Sequence, residues 1–395
     1  MSETTWGAWQ ILDVGSIWMR EFGAALTTQV ETISWAPVMS RFGMVTEWIS
    51  RGEQVIEVKE PPLWVRQFPL QRGYSRASLG RLVRFEERLL RRLRSAAEEA
   101  PERGTAGRAE LSPLICSTPF YAPVAERWPG PVVYYSTDLT AEYEGINGAQ
   151  VRELDRRMCR IARAVCPNSA RIAEYFVREA ECDWAKITVV PNATRESNVA
   201  PEPLLLPAML PEDVRDVPRP IAGVIGDLSG NMDWTVIADA MQRTPELNWV
   251  FVGPTTRTIV DRKQSSGRER VMRGRARFVG PKPYGELQDY ARSFDVAVLP
   301  YRRKEPTYSG SSTRFYEHLA ACRPMVATRG FAELIEKEPL LRLANTGEEV
   351  AEALHQLAAT GYQDGLETAR WEASRKGTWE ERARTLRGTL QQAGR

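Results

Sequence analysis

The chain has 395 residues, 43% hydrophobic and 26% charged, which is enough apolar mass for two domain cores. Its 53 Lys and Arg nearly balance 51 Asp and Glu, and a net charge of +2 argues against a dedicated nucleic-acid binder. No apolar run reaches the roughly 18 residues of a membrane span, and the first residues lack the basic-then-apolar pattern of a signal peptide. The five cysteines (116, 159, 166, 182 and 322) form no C-x-x-C pair and read as reduced, buried thiols of a cytoplasmic protein. The only histidines, His318 and His355, are too few for a multi-histidine metal site. Zincin, α/β-hydrolase and P-loop signatures are absent. Neither a metal nor a cofactor is expected.

In chain order, strands are expected at Gln10–Val14, Val30–Ser34, Leu114–Ser117, Val132–Ser136, Ala164–Pro167 and Lys186–Val190. Helical spacing covers Trp18–Thr27, Leu79–Ala97, Val151–Arg163 and Ala170–Glu181. The second half alternates more clearly. Strands fit Ile221–Gly226, Leu247–Gly253, Ala276–Gly280, Phe294–Pro300 and Met325–Thr328, with helices at Asp233–Arg243, Tyr284–Ser293 and Arg314–Ala321. Apolar strands without internal alternation are buried on both faces, and strand–helix–strand order implies a parallel sheet. The expected class is α/β, with two Rossmann-like domains facing each other across a cleft, where ligands of open α/β sheets bind.

The six prolines of Ala200–Pro220 rule out a helix or central strand, and 201–220 reads as the linker between domains 1–200 and 221–370. Residues 371–395 read as a C-terminal helix, with packing back on the first domain as one arrangement. The segment 76–108 carries nine Arg against five Glu, and Leu79, Leu82, Val83, Leu89, Leu90 and Leu93 at helical spacing. It reads as a surface helix with its apolar stripe on the core. The second reading is a patch that meets an anionic membrane surface, peripheral at the inner face, or a lipid-linked acceptor.

The most informative stretch is Tyr308–Thr328. Ser309, Gly310, Ser311, Ser312 and Thr313 form a small hydroxyl-rich loop that runs into a helix near Arg314. A helix start offers N–H groups and a positive dipole end, which suits a diphosphate. Arg314 adds a planar cation, and Glu317, one turn on, places a carboxylate where ribose hydroxyls can be accepted. The plain alternative is a capped helix with a surface ion pair.

This stretch resembles the donor-site motif P-x-K-x-x-E-Y-L-A-x-G-x-P-V-V-A-T of retaining GT-B glycosyltransferases of the family 4, group 1 type. Glu317, Leu319, Ala320, Pro324, Val326, Ala327 and Thr328 match, with Arg314 for Lys. Ser312 replaces Pro, His318 replaces Tyr, and Cys322 replaces Gly. The first carboxylate of the family's E-x7-E pair would fall at Ser309, with Glu305 as a partial substitute. Phe278–Leu287, which includes Lys282 and Tyr284, is similar to the family's loop beside the nucleobase. Phe294–Tyr301 is similar to its "fDvailPy" strand. Gly226–Gly230, with Asp227, lies where the family places a glycine-rich loop beside the phosphates. Val190–Ala193 resembles "iPNG", and Thr378–Ala383 resembles the last helix.

The resemblance implies a metal-independent transferase that binds a nucleotide-sugar on its second domain and a glycan, glycolipid or small-molecule acceptor on its first. Catalytic roles fall to Asp138, Arg314 and Glu317. Asp138, at a strand end, stands in for an acceptor-side histidine, with Asp13 as the second candidate base beside Gly15 and Ser16. His318 points away from Glu317 around the helix and reads as packing. A different class of function is a sugar-nucleotide-binding subunit with little or no activity. No nucleic-acid partner is expected.

Overall fold

The alternating apolar runs and amphipathic stretches fold into two compact units, Met1–Pro191 with Trp379–Arg395, and Asn192–Thr378. The computed structural model describes residues 6–12, 16–40, 43–51, 54–55, 87, 89–97, 112–143, 147–255, 259 and 261–392.

The first unit opens with β1 (Trp9–Ile11), α1 (Ile17–Thr27), β2 (Thr32–Ser40), β3 (Gly43–Arg51) and β4 (Gln54–Val55). After a helix over 89–97 (α2) come β5 (Leu114–Cys116), α3 (Ala122–Ala125), β6 (Val132–Tyr134), α4 (Gly148–Ile161), β7 (Ala164–Val165) and α5 (Ala170–Arg178). The sheet order is β4-β3-β2-β1-β5-β6-β7, parallel from β2 to β7. The antiparallel hairpin β2–β3 differs from the sequence expectation, which ends this strand at Ser34 before Pro37. β1 pairs with β2 only as far as Ser34, so Pro37 sits beyond that ladder, where its missing N–H is tolerated. Lys186–Val190 makes a single bridge, Val165 to Ile187, and not a strand. In α2, Leu89, Leu90, Leu93 and Ala97 are buried while Arg91, Arg92 and Arg94 face outward. The rest of the basic segment 76–108 lies outside the described residues. Under β6, Tyr134 and Tyr175 donate to buried Asp155 at 2.7 and 2.6 Å.

The second unit runs β8 (Ile221–Ile225), α6 (Trp234–Arg243), β9 (Asn248–Val252), α7 (Arg262–Arg273), β10 (Ala276–Gly280), α8 (Leu287–Ser293), β11 (Val296–Leu299), α9 (Thr313–Ala321), β12 (Met325–Ala327), α10 (Ala332–Ile335), β13 (Arg342–Leu343), α11 (Gly347–Ala358) and α12 (Glu367–Lys376). Its parallel sheet has the order β10-β9-β8-β11-β12-β13. β8 and β11 are buried at every position because helices cover both faces. Among the described residues no helix is long and apolar enough to cross a membrane.

The proline-rich segment, expected as a linker, is part of the second unit, whose boundary lies at Asn192. Val214 and Val217 enter the core beside Ile221, Val250 and Tyr290. Arg219 donates to Asp295 at 2.8 Å and to the Ala208 carbonyl at 2.9 Å. The chain ends in α13 (Trp379–Gln392), which belongs to the first unit, where Arg387 donates to Gln29 at 3.1 Å.

A buried ion pair closes the far side of the second unit. Arg370 forks onto both oxygens of Asp364 and donates to the Leu340 carbonyl at 2.8 Å. Its side chain is fully enclosed. Burial works to raise the Asp364 pKa, but the hydrogen bonds and charge of Arg370 outweigh it and hold the carboxyl below its usual range. Arg370→Met should therefore cost about 3–5 kcal/mol, the penalty for stranding a buried charge, read by urea unfolding at neutral pH. Because the folded pKa is depressed, the pair's contribution is present above the unfolded carboxylate value and fades as pH falls through the folded one. The gap between wild type and variant should narrow in acid.

Candidate active site

Strand order fixes where a ligand enters the second unit. β8 and β11 are neighbours, yet the chain continues from β8 toward β9 and β10 on one side and from β11 toward β12 and β13 on the other. The crevice outside the carboxyl ends of such a pair is the general ligand site of open α/β sheets.

At the end of β8, Gly226 adopts φ 147°, and at the end of β9, Gly253 adopts φ 143°. A Cβ on Gly253 would lie 1.8 Å from the Gly226 carbonyl oxygen, so the two turns approach backbone to backbone. A Cβ on Gly226 would lie 3.3 Å from Tyr301 Oη and 3.8 Å from Arg314 Nε. Tyr301 follows β11 and Arg314 occupies the first turn of α9. Three elements thus deliver one glycine turn, one phenol and one guanidinium to the same place.

Three amides of the glycine loop, those of Gly226, Leu228 and Ser229, bond to protein carbonyls. Gly226 donates to Val252 at 3.0 Å, Leu228 to Pro254 at 2.9 Å, Ser229 to Asp227 at 2.8 Å and Asp233 to Pro300 at 2.6 Å. Arg302 N–H closes onto the Asn231 carbonyl at 2.8 Å. The loops after β8 and β11 are therefore latched together.

The start of α9 corrects a sequence expectation in the same way. The Ser309 hydroxyl and N–H both donate to Glu305, at 2.8 and 3.1 Å. Gly310 N–H donates to Thr307 at 3.1 Å. Ser311 accepts from Asn192 N–H at its hydroxyl, 3.0 Å, and from the Asn192 amide at its carbonyl, 2.8 Å. Ser312 caps the helix by accepting from Phe315 N–H at 3.4 Å, and donates its own N–H to Glu333 at 2.9 Å. Glu333 is itself an anion at the helix start, held by the Tyr316 hydroxyl at 2.5 Å. These protein acceptors take up much of the donor set that the hydroxyl-rich loop was expected to offer a diphosphate. Thr313 opens the helix, half-buried.

Arg314 and Glu317 were expected as separate ligands for phosphate and ribose. They are joined as the ion pair of the alternative reading, with Arg314 Nη1 donating to Glu317 Oε2 at 2.5 Å. Both side chains are largely enclosed. Burial opposes the Arg314 cation, but Glu317 outweighs it, and the group holds its proton more tightly than ordinary arginine. Burial, aided by the Arg314 charge, lowers His318 to about 3. His318 is therefore neutral at physiological pH, and it packs beside Phe294 with ring centroids 6.4 Å apart.

Lys282, expected near the base or phosphate, ties its loop to the proline-rich segment. It reaches Asp213 at 2.7 Å, and the hydrogen bond to Asp213 raises its pKa. Tyr290 also holds Asp213, at 2.7 and 2.8 Å. Tyr284 lies beneath the Arg195 guanidinium, 4.9 Å from ring centroid to charge centre. Asp227 is exposed on the glycine loop.

The acceptor-side candidates lie in the first unit. Asp138 follows β6, and its carbonyl accepts from Ser136 at 3.1 Å and Thr140 at 3.0 Å. Ser16 precedes α1 and makes no side-chain cap bond to that helix. Asp13 and Gly15 lie outside the described residues. The sequence reading gave no role to Tyr301, Asn192 or Glu333. Tyr301 had a signal, its place directly after an apolar strand. Asn192, within the Val190–Ala193 motif, and Glu333 act across 119 and 21 residues, respectively, so their partners left no local signal.

Comparisons with known proteins bear on both units. Residues 219–360 match the family model of group 1 glycosyl transferases. TuaH of Bacillus subtilis (strain 168), assigned as a teichuronic acid biosynthesis glycosyltransferase, is 24% identical over 108 residues. That match covers 27% of this chain and spans 26% of the relative's length. Among solved structures, HepE of Anabaena in complex with UDP and glucose matches with a TM-score of 0.66 at 15% identity, covering 98% of this chain and 99% of that one. Sucrose-phosphate synthase of Thermosynechococcus elongatus matches at 0.66 and 14%, covering 98% of each. The chain is an α/β protein of the GT-B fold, and its residues 219–360 match the family model of group 1 glycosyl transferases.

Proposed function

We propose that the chain transfers a sugar from a nucleotide-sugar to an acceptor hydroxyl, with the donor diphosphate held beside Arg314. The observation that carries this reading is a nearly enclosed guanidinium aimed at the Gly226 turn, at the switch point of the sheet. In water such a cation is screened, whereas in an enclosed crevice it attracts an anion strongly. HepE, solved with UDP and with UDP-glucose, supports a nucleotide-sugar of this kind. TuaH supports a role in polysaccharide assembly.

In the proposed reaction the bond from the anomeric carbon to the diphosphate breaks as an acceptor oxygen bonds to that carbon, with retention of configuration. The acceptor proton leaves to a base, for which Asp138 is the candidate. Positive charge develops on the sugar ring and negative charge on the departing diphosphate. Arg314 stabilises the second of these, which allows transfer without a divalent metal. Glu317 fixes the Arg314 fork and acts as a positioning residue.

One observation favours the second reading, a nucleotide-sugar-binding subunit with weak activity. Ser309 stands where the family pattern has a carboxylate, and Glu305, the nearest substitute, is engaged with Ser309. Product assays separate the two readings, because a binding subunit retains diphosphate affinity and forms no glycoside.

Arg314→Ala should lose about 1.5–3 kcal/mol of nucleoside-diphosphate affinity, the range for charge-assisted hydrogen bonds. Arg314→Lys should retain a substantial part of it, both measured by calorimetry. Glu317→Ala should weaken diphosphate binding and largely abolish transfer, and because it strands the enclosed Arg314 cation it should also lower the unfolding midpoint. Transfer should also persist after full chelation. Activity that is lost to chelator and restored by magnesium or manganese would overturn the metal-independent reading.

A further inference from the structure

Tyr301 lies in the same crevice and has no role in the reading above. Its backbone is fixed on both sides. The carbonyl accepts from the Thr328 hydroxyl at 2.6 Å, and the residue bridges to Met232 across the glycine loop. The ring packs edge-on against Phe331, with centroids 5.0 Å apart. Those contacts aim the phenol along the carboxyl ends of β8 and β11. Its oxygen and the Met232 methyl each lie 3.3 Å from the point where a Gly226 side chain would begin, a point that Arg314 Nε approaches to 3.8 Å.

The charges around the phenol are Arg314, Glu317 and Asp227. Burial and the two carboxylates keep the hydroxyl protonated at neutral pH, with its pKa pushed up to about 12. It therefore presents a neutral O–H donor beside a fixed cation. A glycine turn flanked by one cation and one neutral donor suits a group with several anionic oxygens in a row. The Gly226, Leu228 and Ser229 amides bond to protein carbonyls and are not among the donors such a group would meet.

We propose that Tyr301 is a donor-site residue whose hydroxyl donates to a diphosphate oxygen opposite Arg314, and so sets the preference for nucleoside diphosphates over nucleosides. This rests on the glycosyl-transfer reading. Phenylalanine keeps the Phe331 packing and removes only the donor, so Tyr301→Phe is the informative variant.

Calorimetry of the full chain with UDP, ADP and GDP, and with the matching nucleoside, tests the assignment. Tyr301→Phe should weaken the diphosphate that wild type binds about tenfold, as expected for loss of one hydrogen bond to a charged group. Affinity for the nucleoside and the unfolding midpoint should stay unchanged. Equal diphosphate affinity in the variant, or an equal loss for diphosphate and nucleoside, overturns the proposal while leaving the glycosyl-transfer reading intact. If wild type binds none of the diphosphates, that reading falls and the Tyr301 assignment falls with it.

Discussion

The second unit depends on a place where no side chain fits. The turn after β9 passes so close to the turn after β8 that a Cβ on Gly253 would collide with the Gly226 carbonyl. Both glycines have positive φ, a conformation other residues adopt only with strain. This approach lets the first strand end in a tight turn, so that Arg314 and Tyr301 can close over bare backbone. A side chain at Gly226 would fill that space.

Electrostatics follows from how the donors around this turn are used. In many phosphate-binding loops, amides point outward and form a nest for the anion. Here the Gly226, Leu228 and Ser229 amides bond to protein carbonyls, and Glu333 takes part of the helix start. What remains is a guanidinium held by one carboxylate. Such a pair is electrically balanced yet asymmetric, because Glu317 fixes one edge of the fork and leaves Nε directed at the turn. A buried ion pair is a weak source of stability, but a good means of orienting a cation.

The same logic runs through the rest of the unit. Long-range polar contacts hold the loops that line the crevice. Asn192 grips Ser311, and Asp213 holds Lys282 and Tyr290. Each satisfies polar groups that would otherwise be costly to bury. Together they keep the strand-end loops in register with the sheet.

The alternation of apolar runs with amphipathic stretches determined the fold class, because strand and helix periods are local properties of the chain. The second-half strands and the placement of Gly226, Arg314 and Glu317 at element ends were legible for that reason. The strand expected at Val30–Ser34 stops short, since sequence alone cannot show that β2 outruns its ladder with β1. The proline-rich segment looked like a linker because prolines forbid regular structure, but only packing showed Val214 and Val217 in the core. Partner choice was likewise decided by the tertiary structure. Whether Lys282 meets Asp213, or the start of α9 meets Glu333, depends on which loops the sheet brings together. These are distances between residues far apart in the chain, and local sequence carries no record of them.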